Sequence, residues 1–136
     1  MISDTMRDGL MALRPAVPAR DFARSRAFYE QLGFSVWPIG DALCHVQIGE
    51  CDGLFCFLLQ DAYTAEWAEN SMLLLTVQAL DPWWEHVSSL GLPQAFGVPA
   101  PIAPRVEPWG LRTAYFHDPS GVLWHLAEQR TFDEEA

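Results

Sequence analysis

Cysteine is scarce and wrongly arranged for a covalent framework. Cys44, Cys51 and Cys56 are the only three, an odd number with no C-x-x-C spacing. That excludes a disulfide scaffold and a structural zinc site, and it fits free thiols in a reducing cytoplasm. Basic residues are few as well: 8 Lys and Arg stand against 18 Asp and Glu, for a formal charge of −10. A chain so short of cations is a poor partner for nucleic acid. The acid excess has two readings, solubility alone or attraction of a cationic small molecule. No apolar run approaches eighteen residues, and the first eleven residues include Asp4, Arg7 and Asp8, so no membrane span or signal peptide is expected. Missing too are a P-loop, a dinucleotide fingerprint and a nucleophile–base pair.

What is present is an apolar, aromatic-rich chain. Half of its 136 residues are hydrophobic and 12% are aromatic, enough for one compact domain and too many for disorder. Asp118-Pro119-Ser120-Gly121 reads as a β-turn: Asp opens it, Pro presets φ, and Gly tolerates positive φ. Strands at about 111–116 and 122–127 flank the turn as a hairpin. On the second arm Leu123, His125 and Ala127 share one face and Val122, Trp124 and Leu126 the other.

The pattern has an upstream echo. Glu50 to Gly53 followed by the run to Gln60 repeats the acidic-x-x-Gly turn and apolar strand, 68 residues before Gly121. Gln31-Leu32-Gly33-Phe34 pairs with Ser89-Leu90-Gly91-Leu92 at a spacing of 58. The second copy therefore carries extra residues, and the Pro-rich run from Pro93 to Pro108 is where they fit.

Within the first copy, a loose leader (1–9) precedes an edge-type strand at 13–19. A helix follows, capped by Asp21, with Phe22, Ala23, Ala27, Phe28 and Leu32 at helical spacing and Gly33 as its stop. Strands at 34–39, 42–48 and 54–59 complete β-α-β-β-β. A polar linker (61–71) carries Tyr63 and Trp67. The second copy restarts at 72–77, with a helix capped by Asp81 and ended by Gly91, and with one irregular strand near 102–106. The last residues, 131–136, form an acidic tail. The expected architecture is α+β, one domain spanning 1–136, with a first module at about 13–60 and a second at about 72–129.

Val17-Pro18-Ala19-Arg20-Asp21, Phe28-Tyr29-Glu30-Gln31-Leu32-Gly33-Phe34 and Asp118-Pro119-Ser120-Gly121 together resemble the vicinal oxygen chelate superfamily, the glyoxalase, bleomycin-resistance and extradiol dioxygenase group. The resemblance covers about 13–129. It implies two tandem βαβββ modules forming a curled eight-stranded sheet around a cleft, usually in a homodimer. The family's enzymes hold a divalent metal on the first and last strands of each module. Those positions correspond to Arg14, Phe57, Met72 and His125, of which only His125 is a competent ligand. The resemblance therefore implies no metal, no cofactor and no catalytic residue. The metal-free bleomycin-resistance members are the better match through Ala16-Val17-Pro18, Pro108-Trp109-Gly110, the D-P-x-G turn and His125.

The candidate ligand-binding residues are Trp37, Phe57, Tyr63, Trp67, Trp109, Arg112 and His125. Trp109, between a Pro and a Gly, either projects into a cleft and stacks a planar ring or packs on the Pro-rich loop; Trp37 and Trp67 share that ambiguity. Trp83 and Trp84 read as core or dimer packing. His125 is either a cleft group or a buried imidazole. Arg14 and Arg112 clamp an acidic group or offset the carboxylate excess. Three functions remain: a non-catalytic binder of a cationic aromatic antibiotic of the bleomycin type, a metal-dependent lyase or dioxygenase with an atypical ligand set, or an interaction dimer with a closed cleft. A cytoplasmic homodimer that binds neither nucleic acid nor membrane is expected.

Overall fold

The computed structural model describes residues 1–49 and 55–129. The acidic tail, the Glu50–Gly53 turn and Cys51 lie outside the described residues. Among the described residues, eight strands divide into two four-stranded mixed sheets, in the orders β1-β4-β3-β2 and β5-β8-β7-β6. The first comprises β1 (Ala16–Pro18), β2 (Ser35–Gly40), β3 (Leu43–Gln47) and β4 (Cys56–Gln60). The second comprises β5 (Met72–Val77), β6 (Ile102–Val106), β7 (Arg112–His117) and β8 (Leu123–Glu128). In each, the first strand runs parallel to the last and the other neighbours are antiparallel. The two sheets repeat one topology and do not close on each other.

Local chemistry explains most of the elements. α2 (Phe22–Gln31) starts where the Asp21 carboxylate accepts the Arg24 amide at 3.1 Å, and Gly33 at φ 92° turns the chain out of it. The leader is not loose: Ser3 caps a short α1 (Asp4–Asp8). The polar linker forms α3 (Ala65–Asn70), capped by Thr64. α4 (Leu80–Ser89) is not capped by Asp81. Its Leu80 amide donates to the Glu128 carboxylate at 2.9 Å, while Asp81 pairs with Arg112. The Pro-rich run opens with α5 (Leu92–Phe96), bounded by left-handed glycines at 91 and 97.

The core lies on one side of each sheet. Phe57 and Leu59 of β4, Cys44 and Val46 of β3, Ala114 and Phe116 of β7, and Trp124 and Leu126 of β8 all join one cluster around Phe28 and Tyr29 of α2. Tyr29 packs on Phe57 (5.0 Å between ring centres) and on Trp124 (5.9 Å), so a helix of the first copy fills the core of both. Edge-to-face aromatic pairs add about 0.5–1.5 kcal/mol each beyond burial.

The hairpin turn of β7 and β8 is anchored there too. Asp118, 1% exposed, accepts the Ser120 amide (2.8 Å), the Val122 amide (3.0 Å) and the Tyr29 hydroxyl (2.7 Å). Trp124 Nε1 donates to the Tyr29 oxygen at 3.1 Å, and the Arg20 amide donates to Ser120 Oγ at 2.9 Å. Burial pushes the Asp118 carboxyl above its ordinary range, against the pull of these donors, and burial followed by the Asp118 charge drives the Tyr29 phenol well up. The turn is thus a buried lock between the two halves of the chain.

Candidate functional site

Alternation along each strand puts every second side chain on the opposite, open face. In the first sheet that face carries Trp37 of β2, His45 and Gln47 of β3, and Leu58 of β4. Trp37 is 46% exposed and stacks on His45 at 4.4 Å, 26° from parallel. An Arg14 Nη1 lies 3.3 Å from His45 Nδ1, and His45 Nε2 lies 3.0 Å from Gln47 Oε1. Arg14 has only protons to give, so His45 accepts at Nδ1 and donates from Nε2. A flat, half-exposed indole therefore sits beside a fixed imidazole and a guanidinium.

In the second sheet the open face carries Met72 and Leu74 of β5, Tyr115 of β7 and Leu123 and His125 of β8, with Arg105 of β6 over them. His125 meets Tyr115 edge-on at 4.7 Å, and the Arg105 guanidinium lies 5.7 Å from the Tyr115 ring centre. Arg105 Nε donates to the Glu107 carboxylate at 2.5 Å. That bond, then the Tyr115 hydroxyl, holds Glu107 below the usual carboxylate range. Burial raises the Tyr115 phenol, and the Glu107 carboxylate adds to the rise. Burial lowers His125, opposed by the Glu107 charge. Glu107 opens a tight turn in which the Gly110 amide donates to its carbonyl at 2.8 Å, and Trp109 stands 57% exposed on that turn.

Of the seven candidates, Trp37, Trp109 and His125 thus stand on or beside the open faces. Phe57 does not: it is 2% exposed, its ring packs on Tyr29 and Trp124, and it borders an apolar recess of about 180 Å³ shared with Leu73. Carrying the spacing of 68 onto β4 moves the register by one residue; the strand pairing puts Leu58 on the open face instead, opposite His45 as His125 is opposite Tyr115. Arg112 is engaged with Asp81 at 2.8 Å and Glu128 at 3.0 Å, at the start of α4. Tyr63 and Trp67 lie between the sheets in sequence, with the Arg20 guanidinium 5.8 Å from the Tyr63 ring centre.

His45, Gln47, Arg105, Glu107 and Tyr115 stand on or beside the same faces and were not among the seven candidates. Strand alternation alone could have singled out His45, Gln47 and Tyr115, whereas only the folded chain sets Arg105 against both Glu107 and the Tyr115 ring. With Leu58 in place of Phe57, the positions that the resemblance assigns to a metal become Arg14, Leu58, Met72 and His125, of which only His125 is a competent donor. Among the described residues no three His, Cys, Asp or Glu side chains gather to hold an ion. A recess of about 340 Å³ at the seam of α2 and α4 is mostly apolar, and its one imidazole, His86, is bonded to the Leu32 carbonyl at 2.7 Å.

Comparison with known proteins follows the same lines. Residues 12–126 match the model of the Glyoxalase/Bleomycin resistance protein/Dioxygenase superfamily. A bleomycin resistance protein of Klebsiella pneumoniae is 29% identical over 117 residues, covering 84% of this chain and 89% of its own. The crystal structure of a bleomycin resistance determinant encoded on transposon Tn5 superposes with a TM-score of 0.73 at 25% identity, over 88% of this chain and 98% of that one. A bleomycin-binding protein complexed with bleomycin gives 0.71 at 26% identity, over 87% and 98%.

Proposed function

The chain belongs to the Glyoxalase/Bleomycin resistance protein/Dioxygenase superfamily, and from that membership we propose that it is a non-catalytic binding protein which sequesters a cationic aromatic antibiotic of the bleomycin type. The observation that carries this reading is the pair of open sheet faces. Each sets an aromatic ring against an imidazole, Trp37 on His45 and Tyr115 on His125. Neither offers a metal-ligand set or a nucleophile–base pair, so holding a ligand is the chemistry left to them. A bleomycin resistance protein at 29% identity and a bleomycin-binding protein complexed with bleomycin at 26% add support.

Neither face makes an enclosed cleft alone. Met72 is 57% exposed and Leu74 is 59%, both on β5, an edge strand of its sheet. An unpaired edge beside exposed apolar side chains favours association. In this reading a second copy covers them, a two-fold homodimer brings the open face of one sheet against that of the other, and Trp37 and Trp109 sandwich the ligand's planar group. The net charge of −10 per chain draws the cation in. The buried thiol of Cys44 suits a cytoplasmic setting.

Titration with a bleomycin while following tryptophan emission tests this. Saturable quenching in the micromolar range or below is expected, weakening as salt rises. No quenching at about 100 μM drug, a level that registers all but the weakest binding, would remove the antibiotic from the account.

A further inference from the structure

The ion pair between Arg105 and Glu107 is lopsided. The Arg105 side chain is 63% exposed, whereas that of Glu107 is 10% exposed. Arg105 lies on β6, an edge strand whose register slips between Ile102 and Arg105. Glu107 is fixed at both backbone ends: its amide donates to the Leu111 carbonyl at 3.1 Å, and its carbonyl receives the Gly110 amide. The carboxylate is therefore built in, and the guanidinium is free to leave. A partly exposed pair of this kind holds weakly. What Arg105 occupies is itself a recognition pattern, a carboxylate on one side and the Tyr115 ring, 5.7 Å away, on the other.

We propose that Glu107, flanked by Tyr115 and His125, is the subsite that takes the ligand's cationic group, and that Arg105 is a resident counter-ion which the ligand displaces. The class of cation follows from the group now there. A guanidinium fits because it is flat, delocalised and weakly hydrated, so the matching ligand group is an amidinium or guanidinium rather than a hydrated ammonium. Trp109 stands two residues along the same turn, which sets a stacking ring close to the charge. This rests on the binding function proposed above and adds to it the group that confers selectivity.

Benzamidinium, neutral benzamide and benzoate are nearly isosteric probes of it, read by calorimetry or ligand-detected NMR. Wild-type protein should bind benzamidinium in preference to both others. Glu107→Gln should lose about tenfold, as when a charged hydrogen-bond partner is removed. Arg105→Ala should tighten benzamidinium about threefold to fivefold by removing its competitor; this substitution falls on an exposed side chain and serves even if Glu107→Gln unfolds. A preference for benzoate, or an Arg105→Ala protein that binds benzamidinium no better than wild type, overturns the proposal. Bleomycin separates the two levels. If Glu107→Gln binds it as wild type does, the subsite fails and the binding function stands. If wild type ignores bleomycin yet shows the benzamidinium pattern, the antibiotic fails and the subsite stands.

Discussion

The two open faces share one strand topology and differ in their polar chemistry. On the first sheet, Arg14, His45 and Gln47 form a closed chain of donors and acceptors with no carboxylate in it. On the second, Arg105, Glu107, Tyr115 and His125 are built around a carboxylate whose cation is mostly in solvent. The same frame occurs twice, once with a half-exposed indole beside an imidazole and a guanidinium, and once with a carboxylate at its centre. Two unlike halves suit a ligand with unlike ends. The common core beneath them does not take part in that division, because Tyr29 and Trp124 serve both sheets at once.

The largest expected effect removes that shared core. Trp124→Ala should cost about 3–5 kcal/mol, and both sheets should unfold in one transition by calorimetry. Two separated transitions would mean that the halves are independent. Tyr29→Phe is narrower: it strips a donor from buried Asp118 and an acceptor from Trp124 Nε1, and should cost about 1–3 kcal/mol in denaturant titrations. A loss near zero would show that the lock between α2 and the hairpin turn carries no weight.

How far the residues foretold this varies with the physics. The Asp118-Pro119-Ser120-Gly121 turn was legible because turn geometry is local, and the structure closes it with Gly121 at φ 98°. Its burial was not, since the Tyr29 hydroxyl comes from 89 residues away. Short helices such as α3 and α5 carry too few apolar positions for a period to show. Phe57 was misplaced because a one-residue slip in a strand exchanges faces, and a turn-to-turn spacing does not fix register. Asp81 had the right residue type for a cap, but the helix starts one residue before it, at Leu80, whose amide donates to Glu128 of β8. Glu107 gave no sign in sequence, being one acid in a Pro-rich run until β6 pairs with β7.

Smaller effects sharpen the comparison of the faces. Trp109→Ala and Trp37→Ala should each weaken drug binding by at least the roughly 0.5–1.5 kcal/mol of one stacked ring, with melting temperatures near wild type because both side chains are exposed. His125 gives a pH signature. Its folded pKa is lowered, so between that value and the ordinary histidine range near 6.5 the unfolded chain binds the extra proton. Stability contributed by neutral His125 is present at higher pH and lost as pH falls through that window. His125→Asn should flatten the dependence there, and an unchanged slope would assign it to other groups.

The proposed cleft between two copies is tested most directly by mixing the two tryptophan variants. In a two-fold dimer joining the first sheet of one copy to the second sheet of the other, a Trp37→Ala chain paired with a Trp109→Ala chain rebuilds one intact cleft and one doubly altered cleft. After subunit exchange, bleomycin binding should therefore return, at up to one site per mixed dimer. A mixture that binds no better than its separated components would contradict a cleft formed across the dimer.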